Sequence, residues 1–187
     1  MTETKNHRHV AFLRAINVGG RRVTMAALKV PFEAMGLERV STFIASGNVI
    51  FDTPEGDAAA LEARIERALR EALGYEVETF VRAAEEVAEI AAARHFPTFD
   101  ADPEAFHVYV AFTRSAIGQE AAERVKALEG QVEVIRVEGR EVFWAQRRGS
   151  EVKGLSGAEL ERALGGPATV RNVNTARRIA ASHPAPR

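Results

Sequence analysis

Arg14 and Asn17, followed closely by Gly19, Gly20, Arg21 and Arg22, make up the stretch of this sequence best suited to holding an anion. A glycine-rich turn running into a helix presents backbone N–H groups and the positive end of the helix dipole, and arginine adds a forked donor that fits a phosphate or carboxylate. From Arg8 to Lys29 the chain carries Arg8, Arg14, Arg21, Arg22 and Lys29 with no acidic residue, so a locally positive field is expected. The same glycines would also serve a plain strand-to-helix turn, and paired arginines would also serve a solvated face. A second polar group, Ser46-Gly47-Asn48, separates two apolar runs. These three residue types are equally what a tight hairpin needs in order to turn at positive φ.

The elements that must position these groups follow from hydrophobic periodicity. The stretch 10–18 is apolar on both alternating faces, which predicts a strand inside a sheet. Thr24 predicts the N-cap of a helix carrying Met25, Leu28, Phe32 and Met35, ended by Gly36 and kinked or shortened by Pro31. Extended runs at 40–45 and 49–51 predict a hairpin about Ser46-Gly47-Asn48. The stretch 57–73 places Leu61, Ile65 and Leu69 on one helical face, with Gly74 just beyond its end. A strand at 75–81 and a short helix at 85–94 complete the first half.

After a segment with two prolines and two acids, the order of elements returns: a strand at 106–112, a helix at 118–128, strands at 132–137 and 141–146 about Glu138-Gly139-Arg140, a helix opened by a Ser156 and Glu159 capping box, a strand at 168–171 and a closing helix at 175–181. This pattern predicts an α+β protein of two tandem ferredoxin-like (βαββαβ) subdomains with mainly antiparallel sheets, residues 1–97 and 104–187, with a linker at 98–103. The halves share element order but little residue identity. Right-handed crossovers make the first and third strands of each unit antiparallel neighbours, so Arg14 to Asn17 should lie beside Ser46 to Asn48 at one polar, basic edge.

Composition narrows the function classes. With 187 residues, 46% hydrophobic and 27% charged, the chain has material for a real core. A net charge of −1 argues against a generally nucleic-acid-coating surface, so any anion site must be local. The lack of cysteine excludes disulfides, thiolate nucleophiles and cysteine-based metal sites. A polar start and the absence of a long apolar run predict a cytoplasmic protein with no membrane partner. No HExxH, Walker-type loop or nucleophile elbow occurs, and His7-Arg8-His9 reads as a loose strand start rather than a metal pair. No catalytic residue, metal or cofactor is assigned. Phe143-Trp144 followed by Arg147 and Arg148 raises a base-stacking surface, but neighbours on a strand face opposite sides and only one of the two rings could join it.

Leu13-Arg14-Ala15-Ile16-Asn17-Val18-Gly19-Gly20, then Met25, Leu28 and Gly36, then Ser46-Gly47-Asn48-Val49-Ile50-Phe51, and finally Thr169-Val170-Arg171-Asn172-Val173-Asn174-Thr175 resemble the signatures of DUF1697, a bacterial family of unknown function. The last block departs from the family pattern at Val173, where a bulky aromatic is expected. The resemblance implies an α+β protein of two related subdomains without an established activity, and it directs attention to Arg171 and Asn172 at the end of the final strand. The leading expectation is an anionic ligand, either a phosphate-bearing small molecule or nucleic acid, held by Arg14, Asn17, Gly19, Gly20, Arg21, Ser46, Gly47, Asn48, Arg171 and Asn172. Two alternatives stand beside it: a small-molecule enzyme with its site in the cleft between subdomains, and a scaffold or homodimerisation module that uses open sheet edges.

Overall fold

The computed structural model describes residues 6–17, 20, 22–149 and 154–186. The chain divides into two compact units, residues 1–89 with 178–187 and residues 90–177. In the first unit β1 (His7–Leu13), α1 (Met25–Ala34), β2 (Glu38–Thr42), β3 (Asn48–Thr53), α2 (Ala58–Leu73) and β4 (Thr79–Ala83) are followed by α3 (Ala84–Ala92). Its sheet runs β2-β3-β1-β4 and is antiparallel throughout. The central pairing of β1 with β3 is the one that right-handed crossovers require.

Ala11, Leu13, Val49, Phe51 and Val81 line one face of this sheet and pack against Leu28 and Phe32 of α1 and Leu61, Ile65 and Leu69 of α2. Each of these large side chains, taken fully out of water, contributes roughly 1.5 to 3 kcal/mol. Both helices stop where their sequences say they should. Thr24 caps α1 by accepting from the Ala27 amide, and Asp57 caps α2 by accepting from Ala59 and Ala60. Gly36 and Gly74 take the left-handed conformation just past the helix ends. Pro31 removes one backbone donor, and α1 ends three residues later.

The second unit repeats the plan with α4 (Pro97–Asp100), β5 (Phe106–Phe112), α5 (Gln119–Lys126), β6 (Val134–Glu138), β7 (Glu141–Arg147), α6 (Gly157–Leu164), β8 (Thr169–Asn172) and the start of α7 (Val173–Ser182). Its antiparallel sheet runs β6-β7-β5-β8. The Ser156 and Glu159 capping box opens α6. The segment read as a linker is packed structure: proline sits at the start of α4, whose Phe99 meets Phe96 and Phe106 edge-on at 6.4 and 4.9 Å. The boundary between units accordingly falls at 89/90, before the expected linker, and the last ten residues group with the first unit.

Identity between the halves is concentrated in the central strands. Val10-Ala11-Phe12-Leu13-Arg14 is matched by Val110-Ala111-Phe112-Thr113-Arg114. Phe12 lies opposite Asn48 and Phe80, and Phe112 opposite Glu141 and Thr169. Behind them His9 stacks on Phe51 at 5.7 Å and 18°, and Tyr109 on Trp144 at 5.3 Å and 25°. The same ring pair recurs at the same register.

Two strand limits differ from expectation for a local reason. β1 ends at Leu13 rather than at residue 18, because Ala15 and Asn17 adopt φ values of 55° and 60° that no strand allows. β4 starts at Thr79 rather than at residue 75, since its partner β1 ends at Leu13, the residue opposite Thr79.

Candidate functional site

The edge where β1 leaves the sheet is built from two stretches, 14–17 and 43–47, bonded to each other. The Leu13 amide donates to the Gly47 carbonyl at 2.8 Å, and Asn17 Nδ2 donates to the Ala45 carbonyl at 3.3 Å. Asn17 Oδ1 accepts from the Val23 amide at 2.6 Å, which ties the first loop to the entry of α1. Asn48 is fully buried, and its Nδ2 donates to the Phe43 carbonyl and to Ser46 Oγ, both at 2.9 Å. Gly47 is needed on two counts. Its φ is +76°, and a Cβ there would come within 3.2 Å of the Cβ atoms of Leu13 and Ile16.

The structure thus brings Arg14, Asn17, Ser46, Gly47 and Asn48 to one edge, as the strand order predicts. It also separates their work. Asn17, Gly47 and Asn48 hold the loops together, whereas Arg14, Gly20, Arg22 and Ser46 face outward or lie on the rim. Gly20 turns at φ +84°. Gly19 and Arg21 lie outside the described residues.

The acid-free run of the sequence is not acid-free in space. Arg8, at the far end of β1, holds the buried Asp52 through Nε and Nη2 at 2.8 and 3.0 Å, and Arg39 grips the same carboxylate. Burial alone would raise the Asp52 carboxyl, but the hydrogen bonds and charges of Arg8 and Arg39 outweigh it and hold it below its ordinary value. Lys29 pairs with Glu33 at 3.2 Å. Arg14 Nη1 donates to Glu78 Oε2 at 2.8 Å with its side chain 39% exposed, and the two residues are also joined by an amide-to-carbonyl bond. Glu78 belongs to the site, and sequence reading missed it; only the pairing of β4 beside β1 reveals it.

Arg171 and Asn172 belong to the second unit. Arg171 is buried and donates to Thr169 Oγ1 and the Val170 carbonyl at 2.8 Å, and burial pushes its guanidinium down to about 10. Asn172 Oδ1 accepts from the Asn174 amide at 2.9 Å, the bond of a helix cap for α7. Val173, at the position where an aromatic was expected, is buried in the first turn of that helix.

The stacking surface considered for the second sheet is closed. Trp144 lies in the core beneath α5 and α6, and Phe143 is 3% exposed with the His95 ring 4.1 Å away. Arg147 lies over the Phe106 ring and reaches Glu133 at 3.3 Å. His9, read from the sequence as part of a loose strand start, is a buried member of β1, and burial lowers its pKa. Among the described residues no group of three or more His, Asp or Glu side chains is placed to hold a metal ion. No helix among them is long and apolar enough to cross a membrane.

These geometries meet a known family. The family described as "Protein of unknown function (DUF1697)" matches residues 7–143. The chain belongs to it. Within the matched stretch, Asn17 and Asn48 stitch one edge of the first sheet. The fold is shared with a conserved bacterial protein from Streptococcus pneumoniae, whose structure is similar at a TM-score of 0.64 and 21% identity over 95% of this chain and 98% of that one. Among curated proteins none matches this sequence.

Proposed function

We propose that the first unit binds a compact anionic group, the phosphate of a small molecule or of a nucleic-acid backbone, at the edge formed by the two apposed loops and the start of α1. The observation that carries this reading is backbone strain. Ala15, Asn17 and Ile44 all sit at positive φ, 55°, 60° and 51°, within loops that touch each other. Such conformations cost on the order of 1 to 3 kcal/mol each and cluster where a ligand, rather than the chain alone, benefits from them. For the β-branched Ile44, 42% exposed, neither propensity nor burial offsets the cost.

Charge supports the same assignment. The first turn of α1 carries no acidic residue, and Thr24 accepts from one of its amides. Arg14, Gly20 and Arg22 are the contact groups, with Ser46 on the rim and Gly19 and Arg21 completing the stretch in sequence. The setting that goes with this reading is a bacterial cytoplasm, in keeping with a chain without cysteine. The decisive test is a low-salt titration with a nucleoside triphosphate and with a short oligonucleotide. Arg14→Ala and Arg22→Ala should each weaken binding about tenfold, as expected for one lost charge-assisted hydrogen bond. Binding indifferent to both substitutions would sink the proposal, and the better of the two ligands would decide the class.

A further inference from the structure

A second place that could receive a ligand lies wholly within the other unit. Where β5 hands over to α5, a hollow of about 220 Å³ opens between the connection 113–118 and the loop that follows α6. A hollow of this size has room for a metabolite of a few carbons.

The lining is divided. Arg114 and Ser115 form the polar side, Ile117, Leu164 and Pro167 the apolar side, and no acidic residue contributes. Arg114 stands where Arg14 stands in the first unit, two residues beyond the matched phenylalanine and just past the strand end. Two of the glycines in the wall, Gly118 and Gly166, are ones that the fold does not demand. Gly118 has φ −69°, and neither Gly118 nor Gly166 falls in the left-handed region; a Cβ built on either would meet nothing within 4 Å. Compare Gly47, where both conformation and crowding exclude a side chain. Gly118 and Gly166 both line the hollow, and a side chain at either would meet open space.

Gly118 also opens α5 without a side-chain cap, although Ser or Asp there would stabilise the helix by a few tenths of a kcal/mol. The first turn of α5 borders the same hollow at Ala121.

We infer that this hollow is a binding site for a small amphiphilic anion, a carboxylate or phosphate head on a short aliphatic chain, with the head at Arg114 and Ser115 and the chain against Ile117, Leu164 and Pro167. The inference stands on the lining of the second unit and not on the reading of the first.

The test uses the full chain, with amide chemical shifts followed by NMR during titration with acetate, butyrate and inorganic phosphate. Butyrate should give saturable shifts confined to residues near 114–121 and 164–167 and bind about tenfold tighter than acetate, the gain of two buried methylenes. Arg114→Gln should weaken butyrate and phosphate at least fivefold. Gly166→Val should abolish binding while the rest of the spectrum stays that of the folded protein, since Gly166 lines the hollow and a Cβ there meets no atom within 4 Å. Linear, unsaturating shifts, equal response to acetate and butyrate, or binding untouched by both variants would overturn the inference. Arg14→Ala and Arg22→Ala should leave butyrate binding unchanged, so this site and the proposed edge of the first unit fail or stand separately.

Discussion

Gly47 and Asn48 show how a motif can be read correctly in place and only half correctly in purpose. Their residue types suit a turn, and they do form one, but Asn48 is the first residue of β3 and Gly47 is pressed against Leu13 and Ile16. Gly47→Ala should therefore cost about 1 to 3 kcal/mol through the left-handed backbone and the contact at 3.2 Å, seen as a lower urea midpoint with an unchanged slope. A midpoint within error of the parent would show that residues 14–17 and 43–47 are not locked as described. Asn48→Ala should cost a similar 1 to 3 kcal/mol, because the Phe43 carbonyl loses a buried donor. Neither effect requires a ligand, which separates architecture from binding at this edge. Arg14 is the residue where the two roles meet, since any anion it holds competes with Glu78.

Among elements, the outer edge of β4 carries a device that the hydrophobic pattern does not announce. An exposed edge strand offers unpaired N–H groups to other chains. Here Glu66 Oε1 accepts from Thr79, Glu62 Oε1 from Val81 and Glu86 Oε2 from Ala83, at 2.9, 2.8 and 2.8 Å. Glu161 does the same for Ala168 at the entry to β8, at 3.0 Å. Glu62 is 4% exposed on α2, where a helical pattern alone would place a solvated acid. Strand addition at β4 would have to displace these carboxylates, which is a cost to any scaffold built on that edge. Glu62→Ala should lower stability by about 1 to 3 kcal/mol by leaving the buried Val81 amide unpaired. Glu62→Ala with Glu66→Ala should add a concentration-dependent rise in mass by light scattering; a monodisperse double variant of parental stability would remove the edge-blocking role.

For the whole molecule, the buried charges set a direction for pH dependence. His9, His95, His107 and His183 all titrate below their ordinary 6.5, in each case chiefly because burial disfavours the charged ring. A depressed pKa means that the unfolded chain takes up protons first, so the stability is present above 6.5 and is lost as pH falls. Asp52 acts with the same sign further down. Its depressed carboxyl stabilises the fold above 3.8 and ceases to do so as pH drops through the folded-state value, when Arg8 and Arg39 lose their partner. The melting temperature should therefore fall steadily from about pH 7 to about pH 5 and more steeply below about pH 4, and His9→Phe should flatten the first part. A melting temperature that held constant or rose on acidification would contradict these burials.

The sequence by itself determined the element order, the helix caps at Thr24 and Ser156, the central pairing of β1 with β3, and hence the meeting of Arg14 to Asn17 with Ser46 to Asn48. All of these depend on neighbours within a few residues or on the handedness of a crossover, which local chemistry dictates. The repeat of Val-Ala-Phe-x-Arg was equally legible and would have aligned the halves. What only the tertiary structure decided is which charges cancel and which face outward: Arg8 on Asp52, Arg14 on Glu78, Glu62 on a strand amide. These partners stand 44, 64 and 19 residues apart in the chain, and their pairing follows from the register of strands and helices brought together by folding, not from any pattern that either partner shows alone.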